Sequence, residues 1–327
     1  METSRPRTLV TGGAGFVGGH LVDRLLGLEH QVLVMDNLFA GRREHVPRQA
    51  YFEEIDLGSA DESRIFALVR EFCPDYVVHL AAIHHIPYCL AHPGEVFASN
   101  VRSTDVVVRA LEGLPTRKVV ATSTGDVYPV TDAEHPETER PAPSNAYGLS
   151  KLLMEEIVAC ACRVNANLSG IILRLFNVYG TRETNSHVIP RIIELLHNRD
   201  LTEIRMGYLG GTRDFVHVFD VVSAICAALF RSSGKFDTFN VGTGIPTPIR
   251  VVLDCLMQAA DDHRPVIEDE ARFRSFDRKS LTANIAKIRG ELGWQPAISV
   301  QEGLVPLLHE HDVAVSAAAA AALRRDV

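Results

Sequence analysis

Several kinds of feature are missing from this sequence, and each absence removes a class of function. No apolar run reaches the ~18 residues that a membrane span requires, and residues 1–7 lack the apolar stretch of a secretory leader, so a cytosolic protein is expected. There is no surplus of positive charge. The 33 Lys and Arg stand against 41 Asp and Glu, a formal net charge of -8, and broad attraction to nucleic acid or anionic lipid is not expected. A local basic cluster could still grip one small anion. The six cysteines, Cys73, Cys89, Cys160, Cys162, Cys226 and Cys255, form no C-x-x-C pair and have no clustered histidine partner, which argues against a metal centre. Cys160 and Cys162 would diverge by about 200° on a helix, so free, reduced thiols are expected. No internal repeat is present, and low complexity is confined to the alanine-rich stretch 316–323.

What remains is an ordinary globular composition, 46% hydrophobic and 23% charged over 327 residues, long enough for two lobes with a sizeable core. Up to about residue 180, short β-branched runs alternate with longer amphipathic stretches, the signature of an α/β, Rossmann-like doubly wound parallel sheet. Strands are expected at 8–11, 31–35, 51–55, 76–80, 118–122 and 170–174, each apolar enough to be buried on both faces. Helices are expected at 16–28, 62–71, 95–111 and 146–165, where apolar residues recur at three and four. Beyond 180 the alternation becomes irregular and turn-rich. Two lobes are expected, 1–180 and a smaller α/β lobe 181–327, interleaved because about 214–240 returns to the first sheet.

The strand ending at Thr11 runs into Gly12-Gly13-Ala14-Gly15-Phe16-Val17-Gly18 and then a helix, the context in which a glycine turn becomes informative. Gly12 permits the tight turn, Gly15 lets backbone approach a pyrophosphate, and Gly18 lets the helix pack closely. The helix N-terminus, with Phe16 and Val17, then faces the phosphates. Asp36, followed by Asn37, ends the second strand about 20 residues on, where a carboxylate accepts hydrogen bonds from an adenosine ribose and repels a 2′-phosphate. NAD is expected over NADP, although Arg42 and Arg43 lie close in sequence. Asp56-Leu57 and Leu80-Ala81-Ala82 follow the third and fourth strands at their carboxyl ends, where such a sheet presents its ligand crevice; Asp56 reads equally as a helix cap.

Tyr147 and Lys151 stand four apart at the start of a helix and project from one face. An ammonium beside a phenol is expected to lower the tyrosine pKa and make it a base near neutral pH. By itself this spacing also fits a solvated helix face. The strand through 118–122 breaks into Ser123, Thr124 and Asp126 at its carboxyl end, hydroxyls and an acid suited to a sugar hydroxyl or a developing carbonyl; the plainer alternative is a turn satisfying its own backbone.

Together with His79-Leu80-Ala81-Ala82, Asn100-Val101, Tyr147-Gly148-Leu149-Ser150-Lys151, Arg174-Leu175-Phe176-Asn177-Val178-Tyr179-Gly180, Arg213-Asp214-Phe215 and Leu292-Gly293-Trp294-x-Pro296, these segments give a chain that resembles the extended short-chain dehydrogenase/reductases, the NAD-dependent nucleotide-sugar epimerase/dehydratase family, from about residue 7 to 308. The resemblance implies Tyr147 as base on a sugar C4 hydroxyl, Lys151 on the nicotinamide ribose, Thr124 completing the triad, and hydride passing from C4 to NAD. It implies Asn100 among the cofactor residues. It also implies Asn177, Arg213, Arg274 and Asp277 around a nucleotide diphosphate, and His187-Val188 in the loop that cradles the base. A homodimer through helices 95–111 and 146–165 is a further implication.

The reaction after C4 oxidation is left open by these residues, with 4-epimerisation of a UDP-sugar expected first. A 4,6-dehydratase or a uronate decarboxylase using Asp126 is the alternative. Gly125-Asp126 lacks one acid of the usual dehydratase pair, and Asp214 stands where the decarboxylases usually carry Ser. His84 and His85, in the loop after Ala82, are candidates for contact with a sugar carboxylate or phosphate, or are simply satisfied loop histidines. A non-catalytic NAD-binding relative is the alternative of another class, and the intact Tyr147 and Lys151 argue against it.

Overall fold

A computed structural model describes residues 5–232, 234–272 and 278–316. Seven parallel strands form one sheet in the order Tyr51–Glu54, Gln31–Asp36, Arg7–Thr11, Tyr76–His79, Lys118–Thr124, Ser169–Leu175, Phe236–Val241. The chain starts in the middle, winds outward to one edge, and then crosses to the other side of Arg7–Thr11. This reversal leaves a crevice beyond the carboxyl ends of the first and fourth strands, where ligands of such sheets bind.

The expected strands and helices of the first lobe all form, with ends shifted by one or two residues. One expectation fails. The strand Tyr51–Glu54 is not buried on both faces: it is the edge of the sheet, and Tyr51 is 60% exposed. Its aromatic residues read as core, but an edge strand has a neighbour on one side only.

Helices cover both faces. Phe16–Gly27 and Val218–Phe230 pack together on one, burying Leu21, Leu25, Val221 and Ile225. Glu62–Phe72, Pro93–Ala110 and Ala146–Val164 cover the other. Fully burying a Leu or Ile contributes about 1.5–3 kcal/mol, so these stripes decide which face of each helix turns inward. Local signals set the starts: Asn145 accepts the Gly148 N–H at 2.8 Å and Asp61 accepts that of Ser63 at 3.0 Å.

A second core gathers the helices Val188–His197, Ile249–Ala259 and Val300–Glu310. The returning helix Val218–Phe230 ties it to the sheet: Asp220 accepts the backbone N–H groups of Ala297 and Ile298, each at 3.0 Å, and the Trp294 indole donates to Ser223 at 2.7 Å. All six cysteines are free thiols, and among the described residues no helix is long and apolar enough to cross a membrane.

Candidate active site

A cavity of about 1030 Å³ opens at the crevice and runs between the two cores. Its volume stands at the upper end of the range for ligand pockets. The glycine turn forms one end. Gly12 has φ +71°, and a Cβ there would lie 2.7 Å from the Ala81 nitrogen. A Cβ on Gly18 would lie 2.2 Å from the Gly12 carbonyl oxygen. Gly15 differs, since its Cβ would meet only the Gly12 oxygen, at 3.2 Å, and otherwise face open space. Gly15 is also the N-cap of Phe16–Gly27 and offers no side-chain cap, so the first N–H groups of that helix stay available beside Phe16 and Val17, both of which line the cavity. That is a cradle for a pyrophosphate.

Asp36 is buried at the same end and accepts the N–H groups of Ala14 at 3.0 Å and Leu38 at 2.8 Å. Burial pushes its carboxyl upward, and those two donors oppose the push. Asn37, Asp56, Leu57, Leu80, Ala81 and Ala82 also line the cavity. Asp56 accepts from Gly58 N at 2.9 Å and Ser59 Oγ at 2.7 Å, and it is Asp61 that caps the following helix. Arg43 lies over the Phe52 ring at 4.4 Å and donates to the Val46 carbonyl, while Arg42 pairs with Glu44 on the surface. Neither arginine lines the cavity, in keeping with NAD rather than NADP.

Asn100 stands apart from the cavity lining. Its fully buried amide is consumed by Ile83 N at 2.7 Å, Ile83 O at 3.0 Å and Ser150 Oγ at 3.0 Å, so it pins the loop after Ala82 instead of facing the pocket.

Tyr147, Lys151, Ser123, Thr124 and Asp126 meet in the middle of the cavity. The helix Ala146–Val164 carries the first two and the strand Lys118–Thr124 delivers the others at its carboxyl end. Thr124 hydrogen-bonds Tyr147. The sequence-based expectation of a low tyrosine pKa does not hold for the protein's own groups. Burial pushes Tyr147 well up, the Asp126 charge adds to this, and only the Thr124 bond pulls it back. Lys151 is itself pushed down to about 7 by burial, with Glu155 opposing. In a dry pocket desolvation outweighs the mutual effect of two groups that water would let ionise. Glu155, one turn beyond Lys151, is held by Arg174 through two bonds of 3.0 and 2.7 Å.

Asp126 faces a partner that no sequence motif announced. Arg278 Nε lies 3.4 Å from its carboxylate, and the guanidinium also donates to the carbonyls of Tyr128 at 2.8 Å and Pro129 at 3.1 Å. Burial raises Asp126, and Arg278 and Arg213 counter that.

At the far end, Arg213, Asn177, His84, His85, His187 and Val188 line the cavity. Arg213 donates to the carbonyls of Thr212 and Arg278, each at 2.8 Å. Asp214 faces away and accepts four bonds, from the backbone N–H groups of Thr243, Gly244 and Ala283 and from the Thr243 hydroxyl. Ser123 Oγ and Asn177 Oδ1 are buried without a hydrogen-bond partner, the condition of polar atoms that a ligand would satisfy. His84 takes up Asn185 at 3.0 Å and the Ala82 carbonyl, and burial with the neighbouring His187 pushes it down to about 4, so it is neutral. A neutral His84 is no cation for a carboxylate. Arg274 and Asp277 lie outside the described residues. Glu183, paired with His187, also lines the cavity.

Comparison with known proteins agrees with this geometry. The model of the NAD dependent epimerase/dehydratase family matches residues 8–242. The chain is 32% identical over 308 residues to the UDP-glucose 4-epimerase of Mycolicibacterium smegmatis, covering 91% of this chain and 96% of that protein. Among solved structures, the UDP-glucose 4-epimerase of Thermus thermophilus in complex with NAD superposes with a TM-score of 0.85 at 31% identity, covering 94% of this chain and 100% of that one. The Thermotoga maritima UDP-glucose 4-epimerase with UDP-glucose gives 0.84 at 29%, covering 94% and 98%. With the glycine cradle, the Tyr147–Lys151–Thr124 cluster and a match across most of its length, the chain belongs to the NAD-dependent epimerase/dehydratase family and is an NAD-dependent enzyme.

Proposed function

We propose that the chain is a UDP-sugar 4-epimerase that oxidises the sugar at C4 and reduces it again on the other face. The observation that carries this is the meeting of Tyr147, Lys151 and Thr124 in the one cavity that also holds the glycine cradle. The names of the relatives support it. When bound, oxidised NAD supplies a hydride acceptor and a fixed positive charge.

The backbone turn from Gly12 to Gly15 and the N–H groups at Phe16 and Val17 would hold the pyrophosphate, and Asp36, which keeps acceptor capacity beyond its bonds from Ala14 and Leu38, would take an adenosine ribose. Lys151 grips the nicotinamide ribose. Tyr147 would act as the phenolate, which the positive charge of bound oxidised NAD would favour: it takes the proton of the C4 hydroxyl and returns one on reduction, while Thr124 donates to the phenolate oxygen and stabilises its charge. Arg213, with Asn177, meets the nucleotide diphosphate, for which a planar guanidinium is suited. Arg274 and Asp277 belong to the same reading. A 4-epimerase needs no further acid, and the engagement of Asp126 by Arg278 disfavours dehydration or decarboxylation through Asp126.

The same reading includes a cytosolic homodimer and two interleaved lobes, 1–180 and 181–327. Leu149 and Leu153, four apart on Ala146–Val164, are 42% and 40% exposed, an apolar stripe suited to pairing with a second copy. Incubation with UDP-glucose, UDP-N-acetylglucosamine and UDP-glucuronate, followed by NMR, tests the activity. A 4-epimer without net NADH is expected; a 6-deoxy-4-keto sugar or a pentose would overturn it.

A further inference from the structure

We propose that His187, oriented by Glu183, is a second acid–base group of this site and exchanges a proton on a carbon flanking the C4 ketone. The inference rests on the C4 oxidation proposed above, because only a ketone at C4 makes the hydrogens on C3 and C5 acidic. The Glu183 side chain is 4% exposed and its Oε1 lies 2.5 Å from His187 Nδ1. When Glu183 is ionised its carboxylate only accepts, so Nδ1 then carries the shared proton and Nε2 is the nitrogen left for a second partner. Burial pushes the Glu183 carboxyl upward, and the bond and charge of His187 oppose the push.

The His187 ring is 40% exposed and lines the cavity. It stands at the N-cap of Val188–His197 yet caps nothing with its side chain, and no described residue bonds Nε2. It is therefore an imidazole held at one nitrogen and open at the other. Its ring lies 5.8 Å from that of His84, in the loop that follows Ala82, and both line the cavity that holds Tyr147 and Lys151. Two other candidates for such a step, His84 and Asp126, are engaged. Both partners of His84 are in place, and Asp126 faces Arg278 and Arg213.

The step balances without any added reagent. His187 Nε2 takes the proton from C3 or C5, the C–H electron pair moves into the C–C bond to C4, and the carbonyl pair moves onto oxygen. Tyr147, protonated after taking the C4 hydroxyl proton, donates to that oxygen. Reprotonation from the imidazolium restores the ketone, and exchange of the imidazolium with solvent introduces a new hydrogen. Glu183 touches no reacting atom and is a positioning residue.

The test runs the holoenzyme in D2O with a UDP-sugar that it epimerises, reading deuterium at C3 and C5 by NMR and mass spectrometry. Wild type accumulates deuterium at one of these carbons. H187Q lowers the ratio of exchange to C4 inversion by on the order of 100-fold, the usual weight of one acid–base group. E183Q lowers the exchange rate without raising KM, which loosened folding of the loop would not do. C4 inversion with no deuterium in wild type sinks the proposal and spares the epimerase reading. An unchanged ratio in H187Q sinks it too, and exchange lost in D126N but kept in H187Q assigns the base to Asp126. No inversion and no NADH absorbance with any of the three sugars ends both readings.

Discussion

The two ends of the cavity are built by opposite means. The dinucleotide end is backbone: a turn of three spaced glycines, helix N–H groups without a cap and one buried carboxylate, all within residues 12–36. The end proposed for the sugar is side chain, drawn from segments as far apart as His84, Asp126, His187, Arg213 and Arg278. Backbone sites are specified by where a side chain cannot be, while side-chain sites depend on how distant loops pack. The first tolerates little change in shape, and the second can change chemistry one residue at a time.

The sharpest way to separate them is at the middle, where both ends meet. Tyr147→Phe removes the proton acceptor and is expected to lower kcat by about 10²–10⁴ while NAD still binds, read by turnover and cofactor titration. Loss of NAD binding would mean that the two ends are not independent. Next in size, Gly12→Ala combines a left-handed backbone with a 2.7 Å approach to Ala81, and a loss of about 3 kcal/mol is expected in denaturant unfolding. Gly15→Ala provides the contrast: its methyl meets only the Gly12 oxygen, so the fold persists and NAD affinity falls.

Smaller still, Arg213→Met is expected to raise KM for the nucleotide sugar about tenfold, the weight of one charge-assisted contact, with NAD affinity unchanged. The last effect is a slope. Lys151 sits near pH 7 in the fold against an ordinary value of 10.5, so unfolding takes up a proton between these values. Raising the pH from 7 to 10 therefore stabilises the folded form. In protein stripped of NAD, Tm should rise more steeply over that window in wild type than in Lys151→Met; parallel curves would remove the desolvated lysine from the account.

Legibility followed the same division. The glycine turn, Asp36 and the Tyr147–Lys151 spacing are local, and the helix and sheet periods place them without knowledge of the rest. Tyr51–Glu54 read as core because its residues are aromatic, but whether a strand is central or an edge depends on neighbours that no local window contains. Asn100 carries a family pattern, yet its amide is spent on Ile83 and Ser150. Arg278 sits 152 positions from Asp126, and nothing near either residue signals the other.

The sequence by itself determined the doubly wound sheet, the dinucleotide turn and which helix carries the tyrosine and lysine, because each follows from steric limits and periodicities spanning a few residues. Only the tertiary structure decided protonation and pairing: that Tyr147 is pushed up and Lys151 down, that Arg278 engages Asp126, and that Glu183 holds His187. Those outcomes are set by desolvation and by charges brought together from remote loops, and both exist only after the chain has closed around the cavity.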